Sequence, residues 1–513
     1  MSADPRVQID RLRAAGDDTG ALAVAEAAVH EGSKYMAVHF RLASLLLRAG
    51  RYRDADAATQ HAARLSPALP AELVELGKRL AYFNRAAQMR AVARQRLQAP
   101  SWSAGAEADF AALLSMLGEQ EMALALIERA ARSGVDPAML YNRSQLHLYG
   151  GRMDAAEADL RHCLQLAPTM AKAYWALSKL PGPRKDPASL AALERAASAA
   201  ADDGDVAFLQ FALFNHLDAL DRVEPAWAAL ARGCAAKRRR LRYEPRDSAG
   251  MFKALEQLGP WTGAAASADL DGPTPIFIVG MHRSGTTLVE RMLGNHPKVA
   301  EGGELYDFPA GLRMALDRHF NGPSDAEAAR RADGIDFAAL GRDYIERVRW
   351  RAAGRPFLVD KLPSNFLNIG FLHRALPGAR VIHMRRGAMD TCFSNLKELF
   401  SAACPYSYDQ GELADFYLGY RGLMAHWHGV APGYVLDVEY EALARDPEAG
   451  ARRILAFCGL DFDPACLDPG GNIRPVNTAS SAQVREPIHT RSIAAWRRYE
   501  PWLGPLQARL SGL

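Results

Sequence analysis

The chain has 513 residues, of which 49% are hydrophobic and 24% charged, and its formal net charge is +3. That length holds about two to four domains, and the composition excludes collagen-like, disordered and disulfide-scaffold classes. Near-neutral charge gives no sign of a nucleic-acid partner, and none is expected. The longest strongly apolar stretch of the second half, Pro275 to Met281, is far below the ~20 residues of a membrane span, so no span is expected. The N-terminal MSADPRVQIDRLRAAGDD carries charges where a secretory core is apolar, which predicts no signal peptide. Cys163, Cys234, Cys392, Cys404, Cys458 and Cys466 have neither CxxC nor zinc-site spacing, so each reads as a small buried hydrophobe in a reducing cytoplasm.

From the start to about Gly233 the sequence is rich in Ala and Leu and reads as helical. Gly16, Gly50, Asn84, Gly118 and Gly151 follow one another at steps of 34, 34, 34 and 33 residues. Gly and Asn tolerate the positive φ that a tight helix–helix turn needs. Small residues follow five positions later at Ala21, Ala55, Ala123 and Ala156, and seven further at Ala28, Ala62, Ala130 and Cys163. Those are places where two helices approach closely, and the period is that of tetratricopeptide (TPR) repeats. Pro67 and Pro168 end their second helices. The unit around Asn84 is degenerate, with Met89 and Arg96 at the small-residue places, and HLDALDRVEPAWAALARG continues the array. The expectation for residues 1–245 is an α-helical TPR solenoid whose concave face binds a protein or peptide. The basic run CAAKRRRLRYEP reads as the solvated end of a helix. Residues 246–272, with WTGAAASADLDGPTP, read as a linker.

Residues 273–513 change texture. PIFIVGM, FLVD (Phe357–Asp360), RVIHM (Arg380–Met384) and YVLDVEY (Tyr434–Tyr440) read as buried strands, each followed by a turn and a helix. Strand–helix alternation predicts an α/β domain with a central parallel sheet, its ligands beyond the carboxyl ends of the strands. The chemistry is therefore expected at 282–287, Lys361, Arg386 and just after Tyr440.

In PIFIVGMHRSGTTL a strand passes through a Gly-containing turn into a helix whose first amides converge, an anion site. Gly285 lets backbone approach an oxyanion, while Ser284, Thr286 and Thr287 complete the loop and Arg283 adds a planar cationic fork. A Walker A loop places Lys where Thr286 stands here, so ATP chemistry with Mg²⁺ is disfavoured. A second unit, RVIHMRRGAMDTCFS, puts Arg386 at a strand end and Ser394 eight residues on, two turns into a helix. The two can converge on a separate phosphate; alternatively Arg386 forms a structural ion pair.

With both units present, the chain resembles the sulfotransferases that use 3′-phosphoadenosine 5′-phosphosulfate (PAPS), over about residues 270–500. It looks closest to the tyrosylprotein sulfotransferases and their bacterial TPR-linked relatives. The resemblance implies a P-loop-like sulfotransferase domain, PAPS as cosubstrate, no metal, and an acceptor with a hydroxyl group. That acceptor is either a peptide tyrosine or a small hydroxylated molecule. In the resemblance the first loop holds the 5′-phosphosulfate, and Arg386 with Ser394 holds the 3′-phosphate.

RSGTTLVERMLGNHPKVAEGGEL aligns without a gap, placing Glu304 on the family's general base, with Glu301 as fallback. Lys361 in VDKLPSNF falls on the transition-state lysine, with Arg283 assisting; a buried strand cap is its structural alternative. Tyr440 matches a tyrosine near the nucleotide and reads equally as a core tyrosine. Ser481 falls on a phosphosulfate-contacting serine. The family lysine fourteen residues later is Ala495 here, leaving Arg485, Arg497, Arg498 and, ranked last, Arg491 as replacements. His282 in the loop is a minority alternative as base. The competing expectation for the whole chain is a non-catalytic, nucleotide-binding TPR scaffold.

Overall fold

The computed structural model describes residues 4–67, 69–100, 103–259, 270–400, 403–468 and 488–512. The repeat turns sit where the spacing places them. Gly16, Gly50, Asn84, Gly118 and Gly151 have φ of 78°, 74°, 52°, 84° and 73°, each between two antiparallel helices such as Met36–Arg48 and Tyr52–Ala63. Asp221, at φ 61°, closes the later pair Asp203–Ala219 and Val223–Arg239. Ala21, Ala55, Ala123, Ala156, Ala62, Ala130 and Cys163 are fully buried. A larger side chain there would push the helices apart.

Two compact units emerge: one joins 1–135 with 306–321, the other 136–305 with 322–513. In the first unit, the helix Asp307–Leu316 is held by Arg53, whose side chain donates to the Met314 and Ala315 carbonyls (2.7 and 2.6 Å). His319 stacks on Tyr82 with ring centroids 4.7 Å apart. In the second unit, the repeats from Pro137 onward pack with the α/β residues.

Part of the stretch expected as linker is helical. Pro245–Leu255 is a helix, and Phe252 packs edge-on to Phe416 at 5.1 Å. Two apolar residues on one short turn carry little periodic signal, which is why composition alone reads as a spacer. The basic run ends its helix as expected: Arg238, Arg239 and Arg240 pair with Glu412, Asp203 and Asp202 at 2.8, 2.6 and 2.9 Å. All six cysteines are buried free thiols.

The sheet of the second unit has five parallel strands: β1 (Thr274–Gly280), β2 (Val299–Glu301), β3 (Phe357–Asp360), β4 (Arg380–Arg385) and β5 (Val435–Glu439). Their order is β2-β3-β1-β4-β5. Ile276, Ile278, Val359, Ile382 and Met384 face the helix Thr286–Gly294 through Val289, Met292 and Leu293 in one apolar cluster. On the opposite face Phe277 meets Tyr344 at 5.5 Å. Both faces are covered, as near-continuous apolar strands require. Strand order reverses at β1, so the crevice beyond its carboxyl end, between β3 and β4, is the place for a ligand.

Candidate functional site

Gly280 leaves β1 at φ 147°, where a Cβ would lie 2.6 Å from the Met384 carbonyl oxygen. The chain then turns through Arg283 (φ 68°) and Gly285 (φ 99°) into the helix Thr286–Gly294. Positive φ at Arg283 is a conformation that most non-Gly residues avoid, so the turn holds its shape at some cost in strain. Asn395, on the helix Ala388–Leu396, donates to the His282 carbonyl at 2.7 Å and ties the turn to β4's own helix. Unpaired amides at the start of Thr286–Gly294 face outward with the positive end of the helix dipole.

At the end of β4, Arg386 donates to the Arg283 carbonyl (3.0 Å) and the Ser492 carbonyl (2.6 Å), and its guanidinium lies 4.9 Å from the Tyr440 ring centre. Its buried Nε has no hydrogen-bond partner. Ser394 accepts from Arg283 Nε at 3.3 Å. Among the described residues Arg386 forms no ion pair. The Tyr440 ring packs on the core, and its hydroxyl meets Ser492 Oγ at 2.8 Å.

Arg283, Gly285, Thr286, Thr287, Arg386, Ser394 and Tyr440 line one cavity of about 400 Å³. The first cradle and the Arg386–Ser394 unit therefore share a space. Arg184, Lys397 and Arg491 line it too, so that among the described residues five cationic side chains face one carboxylate, Asp390. Asp390 is itself engaged by the Ala494 amide at 2.7 Å. Burial pushes the Arg283 and Lys397 cations down from their ordinary values, so an entering anion relieves a desolvation cost. Of the replacements considered for the family lysine, Arg491 lines the cavity beside Ala495, reversing its rank. Arg498 instead pairs with Asp218 and Asp221, at 3.5 and 2.6 Å. Ser481 and Arg485 lie outside the described residues.

Lys361 follows β3 and is completely buried. Its Nζ donates to Glu304 Oε1 at 2.6 Å and lies 3.7 Å from Glu290 Oε2. Glu304 is 28% exposed, so one side of its carboxylate is open to a reactant. Glu290 is buried, and burial pushes its carboxyl up while Lys361 counters. Glu301 turns away, pairing with Arg291 at 3.5 Å. His282 feels Glu304, Lys361 and Arg283, but burial pushes its imidazole down to about 4, leaving a neutral and weak base. Sequence reading missed Glu290 and Lys397, although each stands one helical turn from a named residue: Glu290 three after Thr287, Lys397 three after Ser394.

Beside the site, His383 Nδ1 and His428 Nε2 lie 2.7 and 2.9 Å from the same oxygen of Asp437. Their ligand atoms fall within 4.8 Å, a grouping of metal-binding residue types. The same atoms already engage one another in hydrogen bonds. Sequence spacing gave no hint of this trio, which comes from β4, β5 and the helix Gln410–Val430 that precedes β5.

Gly285→Ala tests the first cradle. A Cβ would sit 2.6 Å from Tyr440 Cδ2 at a φ that suits glycine, so the variant is expected to lose about 1–3 kcal/mol of stability. An unchanged urea midpoint would mean that the turn is not held against Tyr440.

Residues 275–464 match the model of the sulfotransferase family, and residues 137–170 match a tetratricopeptide repeat. This segment of the chain is similar to sulfotransferase-family domains. An uncharacterized protein of Aquifex aeolicus is 36% identical over 45% of this chain, a match spanning 31% of that protein's length. Protein-tyrosine sulfotransferase 2 of Gallus gallus is 24% identical over 46% of this chain and 68% of its own. Among solved structures, the sulfotransferase domain of the Synechococcus PCC 7002 olefin synthase is 23% identical, with a TM-score of 0.33 over 46% of this chain and 91% of that domain. No helix of the described residues is long and apolar enough to cross a membrane.

Proposed function

We propose that this chain is a PAPS-dependent sulfotransferase that moves a sulfuryl group in line onto an acceptor hydroxyl. The single observation that carries the reading is the shared cavity: two anion cradles lined by five cationic side chains suit one ligand with phosphate at both ends. In this reading Ser284, Gly285, Thr286 and Thr287 grip the 5′ side, with Ser481 completing it. Arg386 and Ser394 grip the 3′-phosphate, and Tyr440 flanks the nucleotide. Arg283 steadies the nonbridging oxygens of the moving group, and Lys361 neutralises charge on the bridging oxygen as the nucleotide leaves. Glu304 takes the acceptor's proton. Preorganised cations aimed at developing charge are often the largest catalytic contribution. Positioning and charge neutralisation dominate such transfers, as they do for phosphoryl groups.

The acceptor is a peptide tyrosine or a small hydroxylated molecule, and the repeats gather or orient it from a cytoplasmic pool. A non-catalytic scaffold would have no use for a Lys361–Glu304 pair at 2.6 Å with one open face. The test is release of adenosine 3′,5′-bisphosphate when PAPS and acceptors are supplied together. Release only in the presence of a tyrosyl peptide or a phenolic acceptor is the expected result. No release with any hydroxyl acceptor, despite tight nucleotide binding, would favour the scaffold.

A further inference from the structure

The cavity has one wall that the sulfotransferase segment does not supply. Arg184 precedes residue 275 by some ninety positions, lies in the helical region, and still lines the cavity with Arg283, Arg386 and Lys397. It sits on the short 3₁₀ turn Pro183–Lys185, which follows the helix Ala171–Ser178.

That turn is stiff. Pro181, Pro183 and Pro187 fix φ on both sides of Arg184, and Pro183 is buried. Lys185 and Asp186 donate to the Gly182 and Pro183 carbonyls, both at 3.1 Å. The Arg184 amide donates to the Leu180 carbonyl at 3.2 Å. Asp186, two residues on, is already committed to capping the next helix at the Ala188 and Ser189 amides (3.1 and 3.3 Å).

Three neighbouring cations of the helical region have carboxylate partners: Arg143 with Asp159, Arg161 with Glu157 at 2.8 Å, and Lys179 with Glu398 at 2.6 Å. Among the described residues Arg184 has none, and its buried Nε has no hydrogen-bond partner. The side chain is half-buried, and a buried donor such as its Nε, left without a partner, is costly to keep. It is tolerated where an anion arrives to pair with it, and Arg is suited to a phosphate because of its planar fork.

We infer that Arg184, supplied by the helical-repeat region, binds a phosphate of the donor nucleotide, so that the repeats form part of the donor site as well as a surface for partners. This rests on the reading of the cavity as the nucleotide site. It also implies that the residues matching the sulfotransferase family form an incomplete donor pocket by themselves.

The test is calorimetric titration of the full chain with adenosine 3′,5′-bisphosphate. Arg184→Ala should weaken binding about 10–100-fold, the range of a charged hydrogen bond, and Arg184→Lys should recover part of it. Arg161→Ala, which removes an exposed arginine already paired with Glu157, should bind like the wild type. Thermal melts of each variant identify any that lose the fold; the Lys variant then carries the comparison. Wild-type affinity in Arg184→Ala, with Arg386→Ala strongly impaired, would overturn the role of Arg184 and leave the nucleotide site standing. Wild-type affinity in both variants would remove the nucleotide reading itself and the inference with it.

Discussion

Glu304→Gln is expected to slow sulfuryl transfer about 10²–10⁴-fold, the usual contribution of a positioned general base. Glutamine keeps the shape and can still accept a hydrogen bond from Lys361, but it cannot take a proton. Neither Glu304 nor Lys361 is among the residues lining the nucleotide cavity, so affinity for adenosine 3′,5′-bisphosphate should not change. Turnover of the variant is to be followed by bisphosphate release under saturating donor. Wild-type turnover would move the base elsewhere, and His282, pushed down to about 4 by burial, would be the next group to replace.

The second large effect is at Lys361. Its ammonium is fully buried between Glu304 (2.6 Å) and Glu290 (3.7 Å). Removing one partner from a buried ion cluster leaves carboxylates without compensation, a loss of about 3–5 kcal/mol. Lys361→Met should therefore both destabilise the chain and abolish turnover, as read from urea unfolding and bisphosphate release. The double variant Lys361→Met/Glu290→Gln separates the two effects. Taking away the stranded charge should restore most of the stability while turnover stays lost. Recovery of turnover along with stability would show that Lys361 is only a strand cap.

Much of this was readable in the sequence because strand ends and helix starts impose residue types. The apolar run before His282 and the SGTT after it could only be a strand entering a helix through a tight turn. Arg386 and Ser394 were legible from the strand-to-helix spacing. The 34-residue step falls on five positive-φ turns. What escaped had weaker local signals. β2 is three residues long, too short for alternation to show. Glu290 and Lys397 look like the polar face of amphipathic helices, and only the fold reveals that those faces turn inward. The helix at 307–316, which joins the first compact unit, and Arg184, which joins the donor cavity, are placed by long-range packing. No spacing rule connects residue 184 with residue 386.

The most direct test of two phosphate cradles in one cavity compares adenosine 3′,5′-bisphosphate with adenosine 5′-monophosphate by calorimetry, in the wild type and in Arg386→Ala. The wild type should prefer the bisphosphate, and Arg386→Ala should lose about 1.5–3 kcal/mol of binding to it while its affinity for the monophosphate stays the same. Equal affinity of the wild type for both nucleotides, or an equal loss for both in the variant, would contradict a separate 3′-phosphate pocket at Arg386.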